Sequence, residues 1–258
     1  MNYLAPRKRL GQHFLRSASI AARIAEYHLK AAGNLPTLEV GAGQGILTRY
    51  LLQAPALDIV ELDIRCIPVL TEQFGATARI LQGDFLKIFP EEFLAPEYAV
   101  IGNFPYNISS QILIKVLDHR WRVPVLTGMF QREVARRIVA SPGSRDYGIL
   151  SVFMQAFYHC RILMHVAPSH FHPPPAVWSS VIQCLRKPQT HISCSESLFR
   201  NLVKTAFSRR RKKLRNNLVE SYPALSEHPA AAPWMELRAE QLSWQDYATL
   251  TKILESLK

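Results

Sequence analysis

Thr37-Leu38-Glu39-Val40-Gly41-Ala42-Gly43-Gln44-Gly45 is the stretch that decides the fold. A short run suited to a buried strand breaks into three glycines at alternate positions. Such a turn lets backbone approach a ligand closely, and the helix that follows offers unpaired N–H groups. Moving outward, the pattern of strand and then turn recurs. Residues 57–60 end at Glu61, 79–82 precede Gly83-Asp84, 98–101 precede Gly102-Asn103, and 123–130 form a longer run rich in β-branched residues. Helical spacing lies between them, as in Ile112, Leu113, Val116 and Leu117. Short buried runs alternating with helices predict an α/β domain on a mainly parallel sheet.

Upstream, Ile20, Ile24 and Tyr27 predict an amphipathic helix over 17–32. Downstream, 161–166 and 177–185 are two late strands joined through Pro173-Pro174-Pro175, which predicts an antiparallel edge. Beyond Pro188 strand signals stop. Leu198, Leu202, Val203 and Phe207 mark one helix, and Leu214 and Leu218 a second. Trp244, Tyr247, Leu250, Leu254 and Leu257 mark a last one with Ser243 as N-cap. Residues 223–233 read as a loose connection. The expected organisation is a catalytic α/β domain over 1–187 and a small helical domain over 188–258.

The 258 residues are 48% hydrophobic and 20% charged, which excludes a disordered or fibrous chain. No run approaches the length of a membrane span, and the basic N-terminus lacks the apolar stretch of a signal peptide. Cys66, Cys160, Cys184 and Cys194 are far apart and without metal-ligand spacing, so reduced thiols and no metal are expected. The formal net charge is +11, and it is unevenly spread. Between Arg186 and Asn217 there are ten basic residues and one acid, Glu196, while Arg7, Lys8 and Arg9 open the chain. Between Glu39 and Glu97 nine acids face four basic residues. Split fields of this kind suit a protein that grips a polyanion with one region and works with another.

Glu61 closes the second strand, twenty residues after Gly41, where a carboxylate can accept hydrogen bonds from both hydroxyls of a ribose. The motif alone leaves S-adenosylmethionine and a dinucleotide open. Asp84 closes the third strand, where an acid can accept from the exocyclic amine of an adenine. After the fourth strand stands Asn103-Phe104-Pro105-Tyr106, then Asn107-Ile108-Ser109. An aromatic amine is a poor nucleophile, because its lone pair is delocalised into the ring. Two acceptors on its N–H hydrogens, the Asn103 amide oxygen and the Pro105 carbonyl, push the nitrogen toward tetrahedral geometry and free that pair. Proline fixes its own φ and has no N–H to donate. The Tyr106 ring can stack on the base. No strong base is needed, since the nitrogen sheds its proton after the methyl has moved; orientation and electrostatics supply the gain.

These blocks together resemble the KsgA-type ribosomal RNA adenine dimethyltransferases. The resemblance also takes in Arg7-Lys8-Arg9-Leu10-Gly11-Gln12-His13-Phe14-Leu15, Gln131-Arg132-Glu133-Val134, Tyr147-Gly148-Ile149-Leu150-Ser151-Val152, Phe171-His172-Pro173-Pro174-Pro175-Ala176-Val177 and the run from Arg210 to Leu218. It implies a Rossmann-like class I methyltransferase sheet with an antiparallel edge, plus the small C-terminal helical domain. It implies that His13, Leu15, Gly41, Gly43, Glu61, Asp84 and Asn103 hold S-adenosylmethionine. Asn103, Pro105, Tyr106 and Phe171 would be catalytic, with Phe171 closing over the target base. Arg7, Lys8, Arg9, Arg209, Arg210, Arg211, Lys212, Lys213 and Arg215 are expected to bind RNA. The implied reaction is dimethylation of the 6-amino groups of two adjacent adenosines near the 3′ end of small-subunit ribosomal RNA. The implied partner is a small-subunit precursor, met by a cytoplasmic monomer. His13 stands where the family often has Asn, and Phe104 where it commonly has Leu. The rivals are the related large-subunit adenine methyltransferase that gives macrolide resistance, and a non-catalytic nucleic-acid-binding factor on the same fold.

Overall fold

A computed structural model describes residues 4–88 and 95–257, without the side chain of Lys8. The chain divides into two compact units, Met1–Ala135 with Cys160–Arg186, and Arg136–His159 with Lys187–Lys258. The expected single cut after residue 187 therefore needs correction, because 136–159 group with the C-terminal residues.

The strands are β1 (Phe14–Leu15), β2 (Thr37–Val40), β3 (Leu57–Glu61), β4 (Arg79–Gln82), β5 (Ala99–Asn103), β6 (Val125–Gln131), β7 (Tyr158–Val166), β8 (Phe171–His172) and β9 (Ser179–Arg186). Seven form one sheet in the order β4-β3-β2-β5-β6-β9-β7. The pairs from β4 across to β6 are parallel, and β9 is antiparallel to β6. Strands β2 and β3 are buried along their whole length, as near-continuous apolar strands in a covered parallel sheet must be. The order reverses between β2 and β5, and ligands of doubly wound sheets bind outside the carboxyl ends at such a switch point.

Helices α1 (Ala18–Ala32), α2 (Thr48–Leu51), α3 (Cys66–Phe74) and α4 (Ser109–Asp118) accompany these strands. Ala21, Ile24 and Ala25 of α1 join Ile59 and Ile101, the cross-strand partners of Glu39, and Leu70 and Phe74 of α3, in the buried core. Unforeseen is a second, two-stranded sheet in which β1 pairs antiparallel with β8, Leu15 opposite Phe171. It ties the N-terminal segment to the segment that precedes the triple proline.

α5 (Arg132–Val139) begins in the first unit and ends in the second, which also holds α6 (Ile149–Phe157), α7 (Glu196–Ala206), α8 (Leu214–Leu218) and α11 (Trp244–Ser256). Phe153 of α6 meets Phe199 of α7 with ring centroids 6.2 Å apart, which explains why 136–159 belong here. Ser243 caps α11 as expected, accepting from the Asp246 N–H at 3.2 Å. Residues 223–233 are not a loose connection: α9 (Pro223–Glu227), a 3-10 turn (Pro229–Ala231) and the start of α10 (Ala232–Met235) occupy them, with proline near each N-terminus. Proline's missing N–H costs nothing in a first helical turn. No helix among the described residues is long and apolar enough to cross a membrane. All four cysteines are free thiols.

Candidate active site

A cavity of about 190 Å³ opens at the switch point. Its walls come from the carboxyl ends of β2, β3, β4 and β5 and from the N-terminal segment. His13, Gly41, Gly43, Glu61, Asp84 and Asn103 all line it, and so do Pro105 and Tyr106. Eight expected site residues are thus brought to one place by four strand ends and one added segment.

Glu61 is 5% exposed, and burial pushes its carboxyl above the usual range. Its two oxygens accept from the Gly43 N–H and the Asp63 N–H, both at 2.7 Å. Each oxygen keeps a second lone pair, so the carboxylate is oriented yet still able to accept. Gly43 makes that bond with φ +58, and a Cβ there would stand 2.9 Å from the Phe14 ring. Both demands call for glycine. At Gly41, φ +75, a Cβ would meet nothing within 4 Å, so open space adjoins the backbone. Asp84 lines the cavity while its Oδ1 accepts from the Leu86 N–H at 3.0 Å, so it also caps its own turn.

Asn103 ends β5, and its side-chain N–H donates to the His13 carbonyl at 2.9 Å. That bond fixes which way the amide faces and leaves its oxygen as the end not held by His13. The Pro105 carbonyl accepts from the Ile108 N–H at 3.2 Å, closing the 3-10 turn Tyr106–Ile108 and keeping one lone pair. The Tyr106 hydroxyl shares a 2.5 Å hydrogen bond with the Ser179 hydroxyl. The His13 ring stacks on the Tyr106 ring, centroids 5.3 Å apart and 26° between planes. His13 Nδ1 lies 2.7 Å from the Pro173 carbonyl, so the proton on that nitrogen is donated there. Phe104 points the other way. It is 1% exposed and lies over Gly102 and Gly128, which are partners across β5 and β6. A Cβ on Gly128 would stand 2.2 Å from its ring.

Three expected placements change. Phe171 does not line the cavity; it is 3% exposed and packed among Leu15, Ile24 and Val181, because β8 turns it inward opposite Leu15. Leu15 is itself a core residue and borders a neighbouring hollow with Glu39 and Met129. Arg7 turns back onto the protein, 3.7 Å from Asp63. Asp63 also pairs with Arg65 at 2.6 Å and accepts from Gln12 at 3.0 Å. The Arg65 guanidinium beside it holds the Asp63 carboxyl well below the usual carboxylate range. Gln12 in turn accepts from the Arg7 N–H at 2.8 Å. Asp63 thereby fastens the segment that supplies Arg9 to His13 to the cavity wall. The Lys8 side chain lies outside the described residues; Arg9 is exposed.

Glu39 was passed over as part of the strand, yet it is 1% exposed, and burial pushes its carboxyl up to about 8. Its Oε2 has no hydrogen-bond partner. An acid inside an apolar run ahead of a glycine turn was the available signal. Gln12, Asp63 and Ser179 were missed as well.

In the second unit the basic run is exposed but not helical, since residues 208–212 form turns and α8 begins at Leu214. Arg210 donates to the Arg145 and Tyr147 carbonyls at 2.8 and 3.0 Å. Lys213 and Arg215 pair with Glu236 at 2.6 and 3.2 Å, and Arg209 lies 3.6 Å from Glu220. Arg211 and Lys212 are exposed without such a bond among those described.

The geometry can be set beside proteins of known kind. A "Ribosomal RNA small subunit methyltransferase A" of Parabacteroides distasonis is 44% identical over 98% of this chain and 95% of its own. Its namesake in Porphyromonas gingivalis is 45% identical over 96% and 97%. The fold matches that of a dimethyladenosine transferase from Plasmodium falciparum, with a TM-score of 0.81 at 24% identity over 95% of this chain and 98% of that one. The 23S rRNA methyltransferase ErmE follows at a TM-score of 0.69 and 25% identity, over 93% and 99%. The sheet is therefore that of a class I methyltransferase. The model of one family, "Ribosomal RNA adenine dimethylase", matches residues 4–256, a span holding both units and every wall of the cavity, and the chain belongs to that family.

Proposed function

We propose that the chain transfers two methyl groups in turn to the 6-amino group of each of two adjacent adenosines near the 3′ end of small-subunit ribosomal RNA. The donor is S-adenosylmethionine, and the residues of the cavity fit it. The open backbone at Gly41 leaves room for its methionine end, Glu61 is oriented with spare acceptor capacity for ribose hydroxyls, and Asp84 can accept from the adenine amine. Bound there, S-adenosylmethionine presents a methyl group on a positively charged sulfur.

The observation that carries the reading is the bond from the Asn103 amide to the His13 carbonyl. It holds the N–H end of the amide on His13 and leaves the amide oxygen to act with the Pro105 carbonyl as the two acceptors for the hydrogens of the target amine. Tyr106, held at its hydroxyl by Ser179 and on one face by His13, stacks on the base. The partner is an immature small ribosomal particle met in the cytoplasm by a monomer. The second unit, through Arg211 and Lys212, and Arg9 of the first supply phosphate contacts. The names of the curated relatives and the surplus of basic residues support this.

The test uses purified protein, labelled S-adenosylmethionine and separated ribosomal subunits. Label is expected in small subunits, at two adjacent adenosines. Asn103→Ala is expected to lower turnover about 10²- to 10³-fold, the scale for loss of one preorganised hydrogen-bonding group, with cofactor affinity changed far less. Label confined to large subunits would transfer the assignment to the macrolide-resistance type.

A further inference from the structure

Trp178 follows the triple-proline segment and is 44% exposed. The exposed Arg132, at the start of α5, lies over its ring with the guanidinium carbon 6.0 Å from the centroid. The pair is held from the backbone, since the Arg132 N–H donates to the Trp178 carbonyl at 2.8 Å. Both residues sit where β6 ends against the start of β9, Gln131 opposite Ser179. β6 runs parallel to β5 with Met129 opposite Asn103. The indole is therefore at the same sheet edge as the Asn103 loop, and its chain neighbour Ser179 holds the Tyr106 hydroxyl at 2.5 Å. An exposed aromatic flanked by a cation is the combination that binds unpaired nucleotides: the ring stacks on a base of any sequence and the cation meets the backbone charge.

We propose that Arg132 and Trp178 form a stacking platform for an unpaired nucleotide next to the target adenosine. The inference rests on the functional reading above and adds a site that recognises the neighbouring residue of the RNA. Its role is to hold the strand while the target base is turned out of its stack, a step that costs unstacking energy. A partner protein fits less well, because the ring is accompanied by a charge and is the chain neighbour of Ser179, which holds Tyr106 of the catalytic loop.

The test is steady-state methylation of unmethylated small ribosomal subunits by the full chain. Trp178→Ala is expected to raise KM for the subunits about five- to a hundredfold, the range for loss of one stacked base, with kcat within about twofold. Trp178→Phe should restore KM to within about threefold of the parent, because any flat ring can stack. Arg132→Ala should weaken KM alone, and add less in the Trp178→Ala background, since it acts partly through the ring. Affinity for S-adenosylmethionine, measured by calorimetry, should be unchanged throughout. Unaltered KM in Trp178→Ala would overturn the platform. Equal damage in Trp178→Ala and Trp178→Phe with loss of cofactor affinity would also overturn it, by showing a structural role. A parent protein that binds cofactor yet methylates no RNA would remove the functional reading, and the platform with it.

Discussion

Glu39→Gln should make the protein more stable, and increasingly so as the pH rises. The Glu39 carboxyl goes from an ordinary value of 4.5 to about 8 in the folded chain, chiefly because burial disfavours its charged form. Near neutral pH the folded state thus keeps a proton that the unfolded state has already released. Stability falls with rising pH wherever the folded state binds more protons. For this group the window runs from 4.5 to about 8, opposite in sign to a salt-bridged carboxylate. Integrating over that shift gives a destabilisation of about 2 kcal/mol at pH 6 and about 4 kcal/mol at pH 8. The difference, about 2 kcal/mol, corresponds to roughly 4–8 °C in melting temperature for a chain of this size. The amide has the same shape and does not titrate. Thermal melts of both proteins, followed by circular dichroism at half-unit steps from pH 6 to 8, should diverge by that amount. Curves that stay parallel across the window would refute a buried neutral Glu39.

Asp63→Asn should loosen Arg7 and Gln12 of the N-terminal segment from the cavity wall, weakening S-adenosylmethionine binding by about tenfold or more, the scale of one charged hydrogen bond, as read by calorimetry. Ser179→Ala and Tyr106→Phe should each slow methyl transfer, and the double variant should be no slower than the worse single, because both break one 2.5 Å hydrogen bond; additive losses would contradict that link. Replacing Arg211 and Lys212 with alanine should weaken small-subunit binding and reduce its log–log salt slope by about 1–2, without touching cofactor affinity. Arg210 is better left intact, since it holds the Arg145 and Tyr147 carbonyls.

The parallel sheet was legible because its strands are short apolar runs that end at glycines and acids. The runs at 37–40 and 79–82 coincide with β2 and β4. The Asn103 loop was legible because its chemistry needs particular residues in one order. Other features lack such a signal. β1 and β8 are two-residue strands pairing Phe14 with His172, too short for periodicity and far apart in sequence. Phe171 beside three prolines reads alike whether its ring faces a ligand or the core; only the pairing with Leu15 decides. Arg7 looked like a free cation until the chain brought Asp63 beside it. Residues 136–159 carry no break in composition, so nothing in the order of residues showed that Phe153 would seek Phe199.

Phe104 ties the catalytic loop to the floor of the sheet through the cross-strand glycines Gly102 and Gly128. A methyl group added at Gly128 would stand 2.2 Å from the Phe104 ring and 2.8 Å from the Phe130 ring, so both rings must shift, and Phe104 is flanked in the chain by Asn103 and Pro105. Damage at this glycine would therefore reach turnover as well as packing. A selection scored on yield or solubility would register only the packing part of that damage; one scored on methylated ribosomes would register both. Gly128 lies in the middle of β6, with no contact to the cavity among its lining residues, yet its tolerance to change is set by chemistry on the other side of a phenylalanine.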